Sequence, residues 1–166
     1  MSKSNIPSGD AAKYSIPPKS TWHNLVKDDI KLEGFKVKKF AVEKNSFILD
    51  IHDGTSFCFV NVNFANSEKE AIREFFWNLA KYYPHDEDFS YKVWKEGPGS
   101  ICIVRSNFDE ETQKFDAGYS RHIELFFVRD GIRVTTLNHT IDDIAKLARL
   151  IDEQIILASE KMKQEK

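Results

Sequence analysis

The sequence predicts an α+β fold with an antiparallel, mostly meandering sheet of about seven strands and two main helices, one after each group of strands. Short apolar runs separated by Asp-Gly and Gly-Pro-Gly turns predict the strands. Two longer stretches, in which apolar residues recur every three or four positions, predict the helices. The chain has 166 residues and 41% apolar content, which suits one domain with a core of its own.

The N-terminal segment differs in composition from the rest of the chain. It is rich in Ser, Lys and Pro, and Pro17-Pro18 cannot lie within a helix. We therefore expect a disordered arm over residues 1–19, a single folded domain over residues 20–162 and a frayed C-terminus over residues 163–166.

A short helix is predicted at the start of the domain. Ser20 or Thr21 can cap it, and its apolar residues run from Trp22 to Ile30. Gly34 stands where a helix C-terminus favours glycine, so we expect the helix to stop there.

Three strands and the first main helix are predicted next. The strands cover residues 35–42, 47–52 and 57–64. Asp53-Gly54 marks the tight turn between the last two. Ser67 and Glu70 have the spacing of a capping box, in which two side chains satisfy free backbone donors at a helix start. The apolar face of that helix ends at Pro84.

The second half repeats this order with about four more strands. They cover residues 89–96, 100–106, 122–128 and 132–137. A Gly-Pro-Gly turn separates the first two, and a polar loop is expected over residues 107–120. Thr140 and Asp143 give a cap-like start to a second main helix, which runs almost to the C-terminus.

The order of strands, Asp-Gly turn, cap and helix that the two halves share has two explanations. It fits a diverged duplication. It also fits the independent use of a hairpin followed by a capped helix, which is a common supersecondary arrangement. The side chains of the two halves agree poorly, so the sequence leaves both explanations open.

The charge balance and the cysteines restrict the classes of function. The formal net charge is −2, so binding to nucleic acid or to an anionic membrane would need a local patch. Cys58 and Cys102 lie in apolar strand-like runs, which indicates reduced thiols in the core. No stretch approaches the about 20 apolar residues of a membrane span, and no signal peptide is recognised. We therefore expect a cytoplasmic protein without a membrane partner.

The sequence holds no recognised catalytic motif. None of the five histidines has metal-ligand spacing, and neither cysteine belongs to a C-x-x-C pair. Nucleophile-elbow and phosphate-cradling motifs are absent as well. Acidic runs lie in predicted loops, which is typical of a solvated surface. A catalytic pair of acids that are distant in sequence stays open as an alternative. We expect a protein that is not an enzyme and that uses no metal or cofactor.

The strand predicted over residues 57–64 combines aromatic and amide side chains on one face. Phe57, Phe59 and Asn61 alternate along it with apolar residues that form an obvious core face. Bases stack on such rings and hydrogen-bond to such amides, so this face is a candidate nucleic-acid site. The alternative is that both sheet faces are covered and that the rings serve packing.

Lys36, Lys38 and Lys39 form a basic run on a neighbouring strand. Together with Tyr91 from the second half, they would extend the aromatic surface and follow a phosphate backbone. The simpler explanation is that these lysines guard an edge strand against aggregation, because acidic residues are interspersed among them.

The last predicted helix is longer than a small sheet needs. Leu147, Leu150 and Leu157 lie beside its main apolar stripe and widen it. This width favours a second contact surface, most simply in a homodimer, with Trp77 of the earlier helix as a further anchor. The alternative is a helix wholly buried against its own domain.

Over residues 35–160 the order of elements resembles that of the Whirly and PUR families of single-strand nucleic-acid-binding proteins. The resemblance implies binding through an aromatic and basic sheet face. It lies in element order alone, so no site residue is carried over. We expect a non-enzymatic accessory protein that binds single-stranded DNA or RNA. The alternative is a protein-binding module, such as a chaperone, an immunity protein or an adaptor, that uses apolar helix surfaces.

Overall fold

A computed structural model of the protein describes residues 20–82, 91–105, 108–115, 124–137 and 144–165. The predicted arm over residues 1–19 lies outside the described residues. So do the predicted cap at Thr140 and Asp143 and the expected helix end at Pro84.

The described ranges contain three helices and nine strands. The helices are α1 (Thr21–Lys27), α2 (Glu68–Tyr82) and α3 (Ile144–Gln164). The strands of the first half are β1 (Lys36–Phe40), β2 (Ser46–His52) and β3 (Phe57–Phe64). Those of the second half are β4 (Tyr91–Val93), β5 (Ile101–Arg105), β6 (Phe108–Asp109), β7 (Lys114–Phe115), β8 (Glu124–Arg129) and β9 (Ile132–Leu137). Within these ranges, each helix is either too short or too polar to span a lipid bilayer.

Seven of the strands form one antiparallel sheet, in the order β1-β2-β3-β9-β8-β5-β4. This confirms the predicted α+β fold and its seven-stranded antiparallel sheet. Consecutive strands pair through short links such as Asp53-Gly54, whereas the helical crossover α2 carries the chain from β3 to the far edge at β4. The two groups of strands meet where β3 pairs with β9.

The region predicted as a polar loop over residues 107–120 contains a small hairpin, in which β6 pairs with β7. The prediction of a plain loop is therefore wrong for its described part. Asp109 forms the turn, because its Oδ1 accepts hydrogen bonds from the N–H groups of Glu111 at 2.8 Å and Thr112 at 3.0 Å. Phe108 is buried and contacts Phe115 at 4.7 Å between ring centroids, which anchors both short strands.

Helix α1 ends well before Gly34, where the sequence predicted its end. Ser20 is one of the two predicted caps, and its hydroxyl accepts a hydrogen bond from the His23 N–H at 3.0 Å. The C-cap Asp28 is already extended, and Lys39 of β1 donates hydrogen bonds to the last carbonyls of the helix. A residue distant in sequence thus completes the helix end, and no local pattern indicates it.

Helix α2 begins at the predicted capping box. Ser67 Oγ accepts a hydrogen bond from the Glu70 N–H at 3.1 Å, and Glu70 Oε2 accepts one from the Asn66 N–H at 3.0 Å. The second bond reaches one residue further back than in the usual box, but both satisfy free donors at the helix start.

The two faces of the sheet have different neighbours. One face, which we call the covered face, packs against α1 and α3 and forms the main core. There Trp22 of α1 stacks on Phe47 of β2 at 5.1 Å between ring centroids. The other face packs against α2 at β8 and β9, where Phe75 contacts Phe126 at 6.4 Å. Helix α2 therefore covers only one half of this second face.

Helices α2 and α3 consequently lie on opposite sides of the sheet. Because β3 and β9 are antiparallel neighbours, a two-fold axis that exchanges them stands perpendicular to the sheet. A rotation about this axis leaves each helix on its own face of the sheet, so it cannot superpose α2 on α3. The two halves agree in element order and not in spatial arrangement.

Candidate nucleic-acid interface

The half of the sheet that α2 leaves uncovered presents side chains that belong to neither buried cluster of the described residues. Alternation along β1, β2 and β3 brings these side chains to one surface, which we call the open half-face. Its members are Lys36, Lys38, Phe40, Ser46, Ile48, Asp50, His52, Phe57, Phe59, Asn61 and Asn63.

An ion pair marks the border between the open half-face and α2. Glu74 of α2 lies 3.2 Å from Arg133 of β9, and Arg133 is the register partner of Asn63. Burial lowers the pKa of the Arg133 guanidinium, and the negative charge of Glu74 acts in the opposite direction. The pair holds α2 above β9, one strand away from the open half-face.

Four rings form a continuous row across the open half-face. Phe59 contacts Phe40 at 6.1 Å and Phe57 at 5.7 Å between ring centroids, and both contacts are edge-to-face. His52 extends the row at 6.4 Å from Phe57. The three phenylalanines are half-buried and His52 is exposed, so each ring keeps part of its surface in solvent.

Polar groups lie beside this row. Asn61 and Asn63 follow Phe59 on the same face of β3, and both are half-buried. Each amide can donate and accept hydrogen bonds. His52 Nε2 lies 2.6 Å from Asp50 Oδ1, so the acid on this surface has a basic neighbour. Stacking and hydrogen-bonding groups therefore stand side by side.

The three predicted lysines of β1 point to two different faces of the sheet. Lys36 and Lys38 are exposed at the rim of the open half-face. Lys39 points to the covered face, where its Nζ donates to three carbonyl oxygens at the end of α1 at distances of 2.6 to 2.8 Å. Burial lowers the pKa of Lys39 below its ordinary value of 10.5. Two of the three lysines thus reach the candidate site.

Tyr91 lies apart from the other predicted site residues. It stands on β4, at the opposite edge of the sheet, with β9, β8 and β5 between it and β3. Its ring contacts Phe126 at 6.1 Å between centroids, within the cluster under α2, and Arg105 lies 5.9 Å from the ring centroid. The strand order, which the sequence did not predict, separates Tyr91 from Phe57 and Phe59.

Sequence reasoning missed Phe40 and His52 as members of the aromatic row. Phe40 follows Lys36 and Lys38 at the same two-residue spacing, so strand periodicity carries the signal for it. His52 ends the predicted strand before the Asp-Gly turn, and its place beside Phe57 follows from the tight hairpin.

The residues predicted for a helix interface divide into two groups. Leu147 is fully buried in the main core and Leu150 packs against it, so both serve the fold of their own domain. The prediction of Leu147 as an interface residue is therefore wrong, because its side chain is fully buried. Leu157 and Trp77 are 56% and 58% exposed. The predicted homodimer stays a prediction.

The two thiols lie in the core. Cys58 is fully buried and Cys102 is 2% exposed. Burial raises the pKa of Cys102 to about 12, so this thiol stays protonated and weakly nucleophilic at neutral pH. Among the residues whose positions are described, no three His, Cys, Asp or Glu side chains gather as metal ligands do.

The open half-face thus brings aromatic, amide and basic groups together on one surface. Comparison with protein-family models, with curated proteins and with solved structures finds no match to this chain.

Proposed function

We propose that the protein is a non-enzymatic binding protein that holds single-stranded DNA or RNA on the open half-face. The observation that carries the proposal is the row of rings centred on Phe59, with the amides of Asn61 and Asn63 beside it. Unpaired bases stack on aromatic rings, and their edges hydrogen-bond to amides.

A single strand suits this surface better than a duplex. Base edges in the major groove of a duplex are read by a helix or a two-stranded ribbon, and a seven-stranded sheet is too wide to enter that groove. Bases that are already unstacked can lie flat against a sheet of rings. The expected ligand is therefore a single strand or an unpaired loop.

Lys36 and Lys38 supply the electrostatic part of the proposed binding. Both are exposed at the rim of the aromatic row, within reach of a phosphate backbone that follows the strand edge. The net charge of −2 makes this attraction local. The same lysines also discourage pairing of β1 with other chains, so the edge-guard role is compatible with binding.

The first test is fluorescence anisotropy of a labelled single-stranded oligonucleotide, titrated with the protein at low and at moderate salt. We expect saturable binding that weakens as salt rises, because phosphate contacts release counterions. The double variant Lys36→Gln/Lys38→Gln should reduce the logarithmic salt slope by about 1 to 2. Absence of binding at low salt would contradict the proposal.

The rings are tested by Phe59→Ala, which removes the centre of the row. One stacked base contributes about 1–3 kcal/mol, so we expect the dissociation constant to rise about 5- to 150-fold. Phe76→Ala is the matched control, because Phe76 is a 46% exposed phenylalanine on α2. Circular dichroism checks that both variants are folded. Equal losses of oligonucleotide affinity in the two variants would argue against the open half-face as the binding site.

A protein partner is the second candidate, and the outer surface of α2 favours it. Phe76 and Trp77 are 46% and 58% exposed, and Val93 on the edge strand β4 is 42% exposed. Exposed apolar side chains of this size are typical of protein-binding surfaces. In that case oligonucleotides would not bind, and Trp77→Ala would weaken a partner's binding with little dependence on salt.

A further inference from the structure

The outer edge of β1 is one end of the seven-stranded sheet. Among the described strands β1 pairs with β2 alone, and the register from Lys36 to Phe40 is unbroken by a bulge. The strand also contains no proline. A regular antiparallel edge of this kind offers backbone N–H and C=O groups to an extended segment.

A cleft of about 390 Å³ lies beside this edge, on the side of the covered face. Its apolar walls come from the segment that precedes β1 and from β1 itself. They are Ile30, Leu32, Phe35 and Val37. Lys39 also lines the cleft, but its ammonium group is held by the carbonyls of α1, and Asp29 and Lys31 have opposite charges. The lining of the cleft is therefore mixed, and its accessible apolar part is formed by the half-buried Ile30, Phe35 and Val37.

The opposite side of the same edge is basic. Lys36 and Lys38 are exposed there, two residues apart on one face of β1, while Val37 lies between them on the cleft side. A strand added to β1 would direct alternate side chains to the lysines and into the cleft. The two sides thus favour acidic and apolar residues in alternation.

A second copy of this chain does not meet that requirement. Symmetric antiparallel pairing of two β1 strands about their centre places Lys38 opposite Lys38 and Lys36 opposite Phe40. Like charges directly opposite each other are destabilising in a sheet. Compared with a second copy in this register, a different, acidic chain complements the edge better.

We propose that the edge of β1 binds an extended protein segment in which acidic and apolar residues alternate, and that the segment adds an eighth strand to the seven-stranded sheet. The acids pair with Lys36 and Lys38, and the apolar residues enter the cleft lined by Val37. This surface is distinct from the aromatic row, although the two lysines border both. A bound acidic strand would accordingly weaken the proposed binding of nucleic acid.

The test uses the full chain and a labelled synthetic peptide of about eight alternating Glu and Val residues, which is long enough to span β1. A peptide of alternating Lys and Val is the charge control, and a peptide with the same Glu and Val content in two blocks is the pattern control. We expect saturable binding of the alternating acidic peptide alone. In amide NMR spectra, the signals of residues 36–40 should shift, and some of these amides should gain protection from hydrogen exchange.

Two variants separate charge from packing. Lys36→Glu/Lys38→Glu should weaken the acidic peptide about tenfold and should make the Lys-Val peptide bind instead. Val37→Thr keeps the shape of the side chain but makes this part of the cleft wall polar. We expect the affinity for the acidic peptide to fall a few-fold. Phe59→Ala should leave peptide binding unchanged, so failure of this proposal is distinguishable from failure of nucleic-acid binding.

Several outcomes would overturn the inference. They are the absence of saturable peptide binding to the folded protein, an unchanged affinity for the acidic peptide after the charge reversal, and amide shifts confined to α2. Protection of the β1 amides that appears without peptide and grows with protein concentration would identify a second copy as the occupant, which also contradicts it.

Discussion

Three lysines stand close together on β1, yet only two of them face solvent. The alternation of a strand sends Lys36 and Lys38 to one side and Lys39 to the other. Lys39 meets the end of α1 there, where three carbonyls have no partner within the helix. A shift of one position thus decides whether a lysine of β1 faces solvent, where we propose a binding role, or supports the end of α1.

The role of Lys39 can be tested by Lys39→Met, which keeps an unbranched stem of similar volume and removes the ammonium donors. The three carbonyls lose their partner, so we expect the free energy of unfolding to fall by about 1–2 kcal/mol in urea titrations. Lys38→Met is the control on the exposed side, where the change should stay within about 0.5 kcal/mol. A stable Lys39→Met variant would mean that water replaces the ammonium group without cost.

Helix α3 is fixed to the sheet by one buried acid in addition to its apolar face. Asp152 is 6% exposed, and its two oxygens accept hydrogen bonds at 2.8 Å from Nε and Nη2 of Arg129 on β8. The Gly99 N–H donates to the same carboxylate at 2.9 Å. The hydrogen bonds that Arg129 donates to Asp152 raise the pKa of the Arg129 guanidinium. One side chain therefore joins the helix, a central strand and the Gly-Pro-Gly turn.

Asp152→Asn should be one of the more damaging polar substitutions in the chain. The amide nitrogen would face a donor, and the charge that pairs with Arg129 would be lost. We expect the free energy of unfolding to fall by about 2–3 kcal/mol. Glu124→Gln provides the comparison, because the Arg105–Glu124 pair spans 3.2 Å and Glu124 is 43% exposed. That variant should lose less than about 1 kcal/mol, and equal losses would refute the special role of Asp152.

Within the described residues, the arrangement of the helices leaves the candidate site outside both buried clusters. Helices α1 and α3 fill the covered face, while α2 occupies one half of the other face and leaves β1 to β3 beyond its reach.

Exposed acids also hold the ends of elements together, since Asp28 accepts a hydrogen bond from Lys161 at 2.5 Å and Asp53 Oδ1 forms the turn between β2 and β3. These acids connect the stability of the whole fold to pH.

Acid should destabilise the protein in a defined range. Hydrogen bonds lower the pKa of three acids below the ordinary 3.8, namely Asp28 through Lys161, Asp53 through Ser56 and Asp109 through Thr112. A carboxyl with a lowered pKa stabilises the fold above its unfolded pKa, and that stability is lost as the pH falls through the folded pKa. We expect the melting temperature to drop as the pH falls below about 4.

The variant Asp53→Asn/Asp109→Asn serves as the control for this prediction. The amide oxygens can still accept the hydrogen bonds of the two turns, but they do not titrate. The melting temperature of the variant should therefore fall less over the same pH range. An identical fall in the variant and the native chain would show that other groups dominate acid unfolding.

Local chemistry was enough to predict most elements of this protein. The two-residue period predicted the strands and the faces of β3, and the capping box predicted the start of α2, because these patterns depend on neighbouring residues alone. The α+β fold class followed from the order of the elements. The same period indicated correctly that Phe57, Phe59 and Asn61 share a surface.

Only the tertiary structure decided how those elements combine into a site. The pairing of β3 with β9 put Tyr91 at the far edge, and the end of α1 depended on Lys39, which lies on another element. The placement of α2 and α3 on opposite faces left the open half-face without cover from any described helix. Each of these outcomes rests on contacts between residues far apart in sequence, and their free energy is not encoded in any local pattern. The sequence by itself determined the elements and their faces, whereas long-range packing determined which face stays open.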